Sequence, residues 1–188
     1  QACITGQLMS LRTLNIAFYS SAILLFGSLG AIGGAWFIEL GLEIKPCHLC
    51  LIGRLPHYVG IPLAAIAVWQ TYARGATKWA RALLVLLSAV YLIGAGIGGY
   101  HAGVEAHIFA GPTDCTGALD KPVAIQDFLK QLETVKIVRC DEVAMRIFGL
   151  SLAAWNGIIC FGLAFIAALG ANSRKRAHQY QGSSSESQ

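Results

Sequence analysis

Charge is what this 188-residue chain has least of. Asp, Glu, Lys and Arg make up 13% of it, about half the share usual in a soluble domain. They are missing altogether from Thr13 to Ile38, from Leu55 to Ala73, from Ala82 to Val104 and from Ile147 to Asn172. Runs of that length, in a chain 55% hydrophobic, exclude an ordinary soluble fold, since roughly 20 apolar residues in a helix cross a hydrocarbon core. The alternation of barrel strands is absent too. That leaves helices as the way to satisfy every backbone polar group in lipid. Clustered Lys and Arg are also lacking. A net charge of +4, scattered along the sequence, excludes a nucleic-acid surface. The chain has no internal repeat and no separate soluble domain.

These absences predict an all-α membrane protein over residues 1–172, with spans at about 16–38, 50–72, 82–100 and 149–170. Trp36, Trp69, Trp79 and Trp155, with Tyr72, Tyr91 and Tyr100, lie mostly toward the ends of those spans, where amphipathic rings prefer the interface. The connectors 39–49 and 101–148 separate helices 1 from 2 and 3 from 4. The polar, basic and then Gly/Ser-rich stretch 173–188 is expected to be a disordered cytoplasmic tail. The first apolar run is longer than the roughly 7–15 residues of a signal-peptide core and no small-x-small site closes it cleanly, so cleavage is not expected. Met9 is the expected natural start, and Cys3 upstream of it is assigned no role.

With four spans, both cysteine-bearing connectors fall on one side of the membrane. Cys47, Cys50, Cys115 and Cys140 therefore share a face, while Cys160 sits inside the last span. Seven basic residues, Arg12, Arg74, Lys78, Arg81, Arg174, Lys175 and Arg176, fall on the N-terminal side. Six, Lys45, Lys121, Lys130, Lys136, Arg139 and Arg146, fall in the longer cysteine-side segments. The denser set marks the cytoplasm, which puts the cysteines in an oxidising, periplasm-like compartment where disulfides persist. Within the long extracytoplasmic loop, Gly111-Pro112-Thr113-Asp114 reads as a turn. Ile125, Phe128, Leu129 and Leu132 repeat as one face of a short amphipathic helix. Val143, Ile147 and Phe148 extend that theme along the membrane surface.

Pro46-Cys47-His48-Leu49-Cys50 is the strongest chemical signal. The sulfurs of a C-x-x-C reach each other and cycle between dithiol and disulfide, and a helix N-terminus favours the thiolate that does the work. Metal ligation with help from His48 or His57 is the alternative. A structural zinc wants four closed ligands at recognisable spacings, and no metal is expected. Cys115 and Cys140 read either as a structural staple or, beside a redox motif, as an exchanging pair. Arg54 shares a helix face with Cys47 and Cys50. It either snorkels or stabilises negative charge on Cys50 or on a quinone oxygen. His101 and Glu105, at i and i+4, either pair on a helix surface or bring a proton donor to a quinone head group. His57 reads as a satisfied polar group and Cys160 as a small buried hydrophobe. Gly30-x-x-x-Gly34 and Gly94-x-x-x-Gly98 read as close helix-packing sites.

The combination of four spans, Pro46-Cys47-His48-Leu49-Cys50-x-x-x-Arg54 and a loop pair Cys115…Cys140 resembles the bacterial disulfide bond formation protein B (DsbB) family. Tyr100-His101-Ala102-Gly103-Val104-Glu105, Gly111-Pro112-Thr113-Asp114-Cys115, Cys140-Asp141-Glu142 and Phe148-Gly149-Leu150-Ser151 with Trp155 look like one branch of it. The likeness covers about residues 16–169. The resemblance implies a four-transmembrane-helix bundle in the bacterial inner membrane, with both termini cytoplasmic and the redox cysteines periplasmic. It also implies a ubiquinone or menaquinone cofactor and a periplasmic DsbA-like thioredoxin-fold partner. By position, Cys115 would form the mixed disulfide with that partner and Cys140 would exchange with Cys47. Cys50 would face the quinone, with Arg54 beside it. Many relatives carry an acidic residue just before this arginine, where this chain has Gly53.

Two other classes compete. A non-enzymatic four-span organiser, tetraspanin-like, explains the loop cysteines but neither the C-x-x-C at a helix start nor Arg54. A vitamin K epoxide reductase-like enzyme also couples thiols to quinone chemistry, but its C-x-x-C falls late in the chain.

Overall fold

The computed structural model describes residues 2–75, 77–112 and 139–185, with side chains from 16 to 173 of those. Four helices dominate: α1 (Ala2–Gly41), α2 (His48–Arg74), α3 (Lys78–Glu105) and α4 (Leu152–Ser185), with a two-stranded hairpin, β1 (Arg146–Ile147) and β2 (Leu150–Ser151), before α4. The described residues thus hold four helices long and apolar enough to cross a membrane. The all-α, four-span expectation stands.

Their side chains are arranged as lipid would require. Bulky residues such as Phe26, Phe37, Leu40, Trp69 and Phe161 point outward, while the buried set is rich in alanine and serine. Helices in lipid gain nothing by hiding large apolar groups from one another, and small residues let their backbones approach.

The chain divides into two compact units. The first comprises Gln1–Gly30, Pro56–Leu92 and Phe161–Gln188. Its core is Ala17, Leu24, Ala64, Ala67, Leu84, Leu87, Tyr91, Leu163, Ala164, Ala167 and Ala171. Buried hydroxyls are satisfied locally. Ser21 donates to the Ala17 carbonyl at 2.8 Å and Thr71 to that of Ala67 at 2.8 Å. Ser28 bonds Tyr91 at 2.6 Å and lies 3.4 Å from His57 Nδ1. His57 is therefore a satisfied buried polar group.

The second unit comprises Ala31–Leu55 and Ile93–Cys160. Here α3 and α4 touch backbone to backbone. A Cβ on Gly98 would stand 2.6 Å from Gly157 Cα. The expected packing role of Gly98 is met in this way. Gly30 and Gly34 differ: a Cβ at either would meet nothing within 4 Å, because residues 29–41 of α1 are almost all partly or fully exposed. A small-x-x-x-small stretch permits close approach; no neighbour takes it up here.

Three further expectations change. The last span does not begin at 149, and Val143, Ile147 and Phe148 do not continue a helix. Phe148 (φ 52°) and Gly149 (φ 83°) both take left-handed backbone, the two-residue geometry that closes a tight hairpin. Arg146 pairs with Ser151 and Ile147 with Leu150, and Trp155 Nε1 donates to the Ile147 carbonyl at 2.9 Å. Helix α3 runs on to Glu105 rather than ending at 100. It stops in a Schellman-type turn in which Ile108 N bonds Gly103 O and His107 N bonds Val104 O, with His107 at φ 56°. Helix α4 continues to Ser185 through much of the stretch expected to be a disordered tail. That stretch is free of proline, and its Arg, Lys, Ala and Gln are good helix formers. The amphipathic segment 125–132, part of the 111–114 turn and Cys115 lie outside the described residues.

Candidate active site

Helix α2 starts on a sulfur. Cys47 is its N-cap: the carbonyl accepts from Leu51 N at 3.2 Å, and Sγ accepts the Cys50 amide at 3.3 Å. That is the position where a side-chain acceptor satisfies one of the orphan donors of a helix start. The C-x-x-C spacing then puts Cys50 at the third helical residue, facing back over the cap. Cys47 Sγ donates to Cys50 Sγ at 3.1 Å, so the two are thiols within reach of each other and not yet bridged.

Sharing its hydrogen with Cys50, and then burial, push the Cys47 thiol up to about 12. Together these two effects outweigh the helix terminus, which alone would favour thiolate. The sequence argument treated the two cysteines alike. The structure separates them: Cys47 keeps the hydrogen, and Cys50, partly exposed, presents the accepting sulfur.

Cys140 packs into the same small core as Cys47, with Leu49 and Val104 buried beside it and Cys50 and Ile52 partly so. It is fully buried, at 0% exposure. One cysteine of the long connector therefore lies in one cluster with the C-x-x-C.

The last turn of α3 closes the site. His101 Nε2 lies 3.6 Å from Cys47 Sγ and 3.8 Å from Glu105 Oε1. The side chains of His101 and Glu105 are only 5% and 8% exposed. They do not form the surface pair that the i, i+4 spacing also allowed; they are buried against the dithiol. Glu105 Oε2 has no hydrogen-bond partner among the described residues, an arrangement that costs free energy and marks sites of function more often than of stability.

Arg54 lies one turn beyond Cys50 on α2, and its guanidinium goes to Glu39. Arg54 Nη1 donates to Glu39 Oε2 at 2.6 Å, with side chains 13% and 33% exposed. Glu39, near the end of α1, is the residue that sequence reasoning missed. The position before the arginine, Gly53, is filled from outside instead: Asn156 Nδ2 donates to its carbonyl at 3.4 Å and would stand 3.2 Å from a Cβ there. The acid beside Arg54 comes from another helix, as Glu39 of α1. Of the expected site residues, Cys47, Cys50, Cys140, His101 and Glu105 come together, and Arg54 stands with Glu39. Cys160 is buried in the core of its span.

Comparison with known proteins gives the family. The family profile for disulfide bond formation protein DsbB matches residues 18–170. A disulfide bond formation protein B of Xylella fastidiosa is 27% identical over 146 residues, covering 74% of this chain and 81% of the relative. Another, of Xanthomonas oryzae, is 28% identical over 151 residues, covering 73% and 80%. An uncharacterized protein of Rickettsia prowazekii is 25% identical over 147 residues, covering 77% and 78%. No solved structure matches. With a profile match across most of its length and four apolar helices, the chain belongs to the DsbB family of multi-pass bacterial membrane proteins of disulfide bond formation.

Proposed function

We propose that this protein is a thiol:quinone oxidoreductase of the bacterial inner membrane. It reoxidises a soluble periplasmic DsbA-like thioredoxin-fold protein and delivers the electrons to ubiquinone or menaquinone. The observation that carries the reading is the burial of Cys140 in one cluster with Cys47, itself hydrogen-bonded to Cys50 at 3.1 Å. Disulfide exchange is an in-line attack of a thiolate on sulfur, so a relay needs its two pairs to meet, and this packing supplies the meeting point.

In this relay the partner's two thiols reduce a Cys115–Cys140 disulfide and leave as the partner's own disulfide. The reduced loop pair then reduces a Cys47–Cys50 disulfide, Cys140 attacking Cys47. Two electrons and two protons finally leave the Cys47/Cys50 dithiol. Both cysteine pairs end as disulfides, and the partner has lost two hydrogens.

Quinone supplies the two-electron, two-proton sink. The residues present suit such a group. Arg54 has five N–H donors, and one of the two on Nη1 goes to Glu39, leaving others for a carbonyl oxygen that gains negative charge. His101 stands beside the Cys47 sulfur and Glu105 beside His101, two side chains of the kind that relay protons. Cys50 is the sulfur placed to give up electrons, because the hydrogen bond from Cys47 stabilises charge on it. The cysteine face would be periplasmic and both termini cytoplasmic.

The test is consumption of a soluble quinone by the detergent-purified protein, driven by a reduced thioredoxin-fold partner. Wild type should consume it; Cys50→Ser and Cys115→Ser should not, and Arg54→Ala should be slower. A wild-type protein that leaves quinone untouched, with disulfides inert to the partner, rules the relay out in favour of a structural membrane protein.

A further inference from the structure

The described residues bring three metal-ligating atoms to one point. The sulfurs of Cys47 and Cys50 and a ring nitrogen of His101 all lie within 4.8 Å of one another. Their spacings are 3.1 Å between sulfurs and 3.6 Å from Cys47 Sγ to His101 Nε2. A tetrahedral zinc, with Zn–S near 2.3 Å and Zn–N near 2.0 Å, sets its ligands roughly 3.3–3.8 Å apart. Parting the two sulfurs by roughly 0.7 Å, to the sulfur–sulfur end of that range, admits the ion.

A second observation points the same way. Glu105 Oε1 stands 3.8 Å from the same Nε2 that faces Cys47, and the other oxygen of that buried carboxylate has no hydrogen-bond partner among the described residues. A carboxylate beside His101 can swing in as the fourth ligand of a Cys₂-His-Glu set. The sequence hides the set because its C-x-x-C supplies two ligands and the others come from α3, with His101 54 residues after Cys47.

We propose that the reduced C-x-x-C of this protein is also a binding site for a soft divalent cation, zinc in the first instance, held by Cys47, Cys50, His101 and Glu105. Binding is metal-for-proton exchange. The two thiols release two protons, two Zn–S bonds form, His101 gives the lone pair of its neutral ring and Glu105 its carboxylate. Nothing is oxidised or reduced. A Cys47–Cys50 disulfide has no thiolate to offer, so metal and disulfide exclude each other. Free zinc therefore holds the dithiol form by mass action and takes the centre out of electron transfer.

Metal uptake is read without quinone or partner, so its outcome is independent of the relay proposed above. The full-length, detergent-purified protein is reduced, equilibrated with Zn²⁺ or Co²⁺, desalted and analysed for metal. The expected result is one ion per reduced chain and none on the oxidised chain. The cobalt form should show sulfur-to-cobalt charge-transfer absorption and the intense visible bands of a tetrahedral ion. Cys50→Ser should abolish tight binding. His101→Ala and Glu105→Gln should each weaken it by about tenfold or more, and Cys160→Ser should leave it unchanged. Circular dichroism confirms that each variant keeps its helices. The proposal is overturned if reduced wild type retains no metal, or if Cys50→Ser retains as much as wild type. Loss of the ion in Cys140→Ser but not in Glu105→Gln would overturn the donor set.

Discussion

Arg54 and Glu39 meet at 2.6 Å, guanidinium to carboxylate, joining α2 to the end of α1 one turn from Cys50. The pair fixes a long, rotamer-rich side chain and aims it, which is how an arginine becomes a preorganised donor rather than a snorkelling one.

Removing the carboxylate should release that aim. Glu39→Gln is expected to raise the quinone KM more than it lowers kcat. It should also cost roughly 1–3 kcal/mol of stability, between the exposed and fully buried cases for such pairs. Steady-state kinetics and thermal unfolding in detergent check both. Adding Arg54→Gln to Glu39→Gln should cost little more. Additive losses would show that the two residues act apart.

The two thiols should differ in reactivity. Cys47 is buried and its thiol is raised from 9.0 to about 12. Iodoacetamide at pH 8 should therefore modify Cys50 about tenfold faster or more, since only the thiolate reacts. Above pH 9 an ordinary thiol levels off, while the Cys47 rate should still climb toward 12. Its raised value also means that the folded reduced state binds this proton more tightly than the unfolded chain. Stability from Cys47 is thus full below pH 9 and lost as pH rises toward 12. Peptide mass spectrometry after timed alkylation reads the order of modification.

Cys140 against Cys47 gives a trapping experiment. In a Cys50→Ser chain exposed to mild oxidant, a Cys47–Cys140 disulfide should accumulate, because exchange has lost its onward step. Non-reducing digestion identifies it. Exclusive bridging of Cys47 to Cys160 would contradict the packing.

Glycine contacts make a matched pair. Gly98→Ala drives a Cβ to 2.6 Å from the Gly157 backbone, whereas the same change at Gly34 meets nothing within 4 Å. The first should cost about 1–3 kcal/mol; the second should be neutral or slightly stabilising, as Ala for Gly in a helix is. Unfolding midpoints of the two variants, side by side, decide it.

What the sequence disclosed follows from the range of each signal. Four spans were legible because lipid demands long uncharged runs, and the C-x-x-C and the His101/Glu105 step because helical spacing is local. Glu39 escaped notice since a lone acid at the end of an apolar run reads as interfacial, and its partner is 15 residues away on another helix. The hairpin at 146–151 was misread because Ile147, Phe148 and Leu150 are apolar enough to start a span; the left-handed turn at Phe148 carries no hydrophobic signature. The asymmetry of Cys47 and Cys50 depends on which sulfur is buried and which hydrogen is shared, and neither is written in C-x-x-C.

The sulfur that caps α2 ties chemistry to backbone order. Cys47 Sγ receives the Cys50 amide, so any bond that draws this sulfur toward Cys140 pulls it off the helix end and leaves the amide to find another acceptor. In the proposed relay each turnover would then loosen and re-form the first turn of α2, and that turn carries the second cysteine. Electron flow through the pair would be legible as a rhythm of amide protection at residue 50, a mechanical echo of the redox cycle one residue deep.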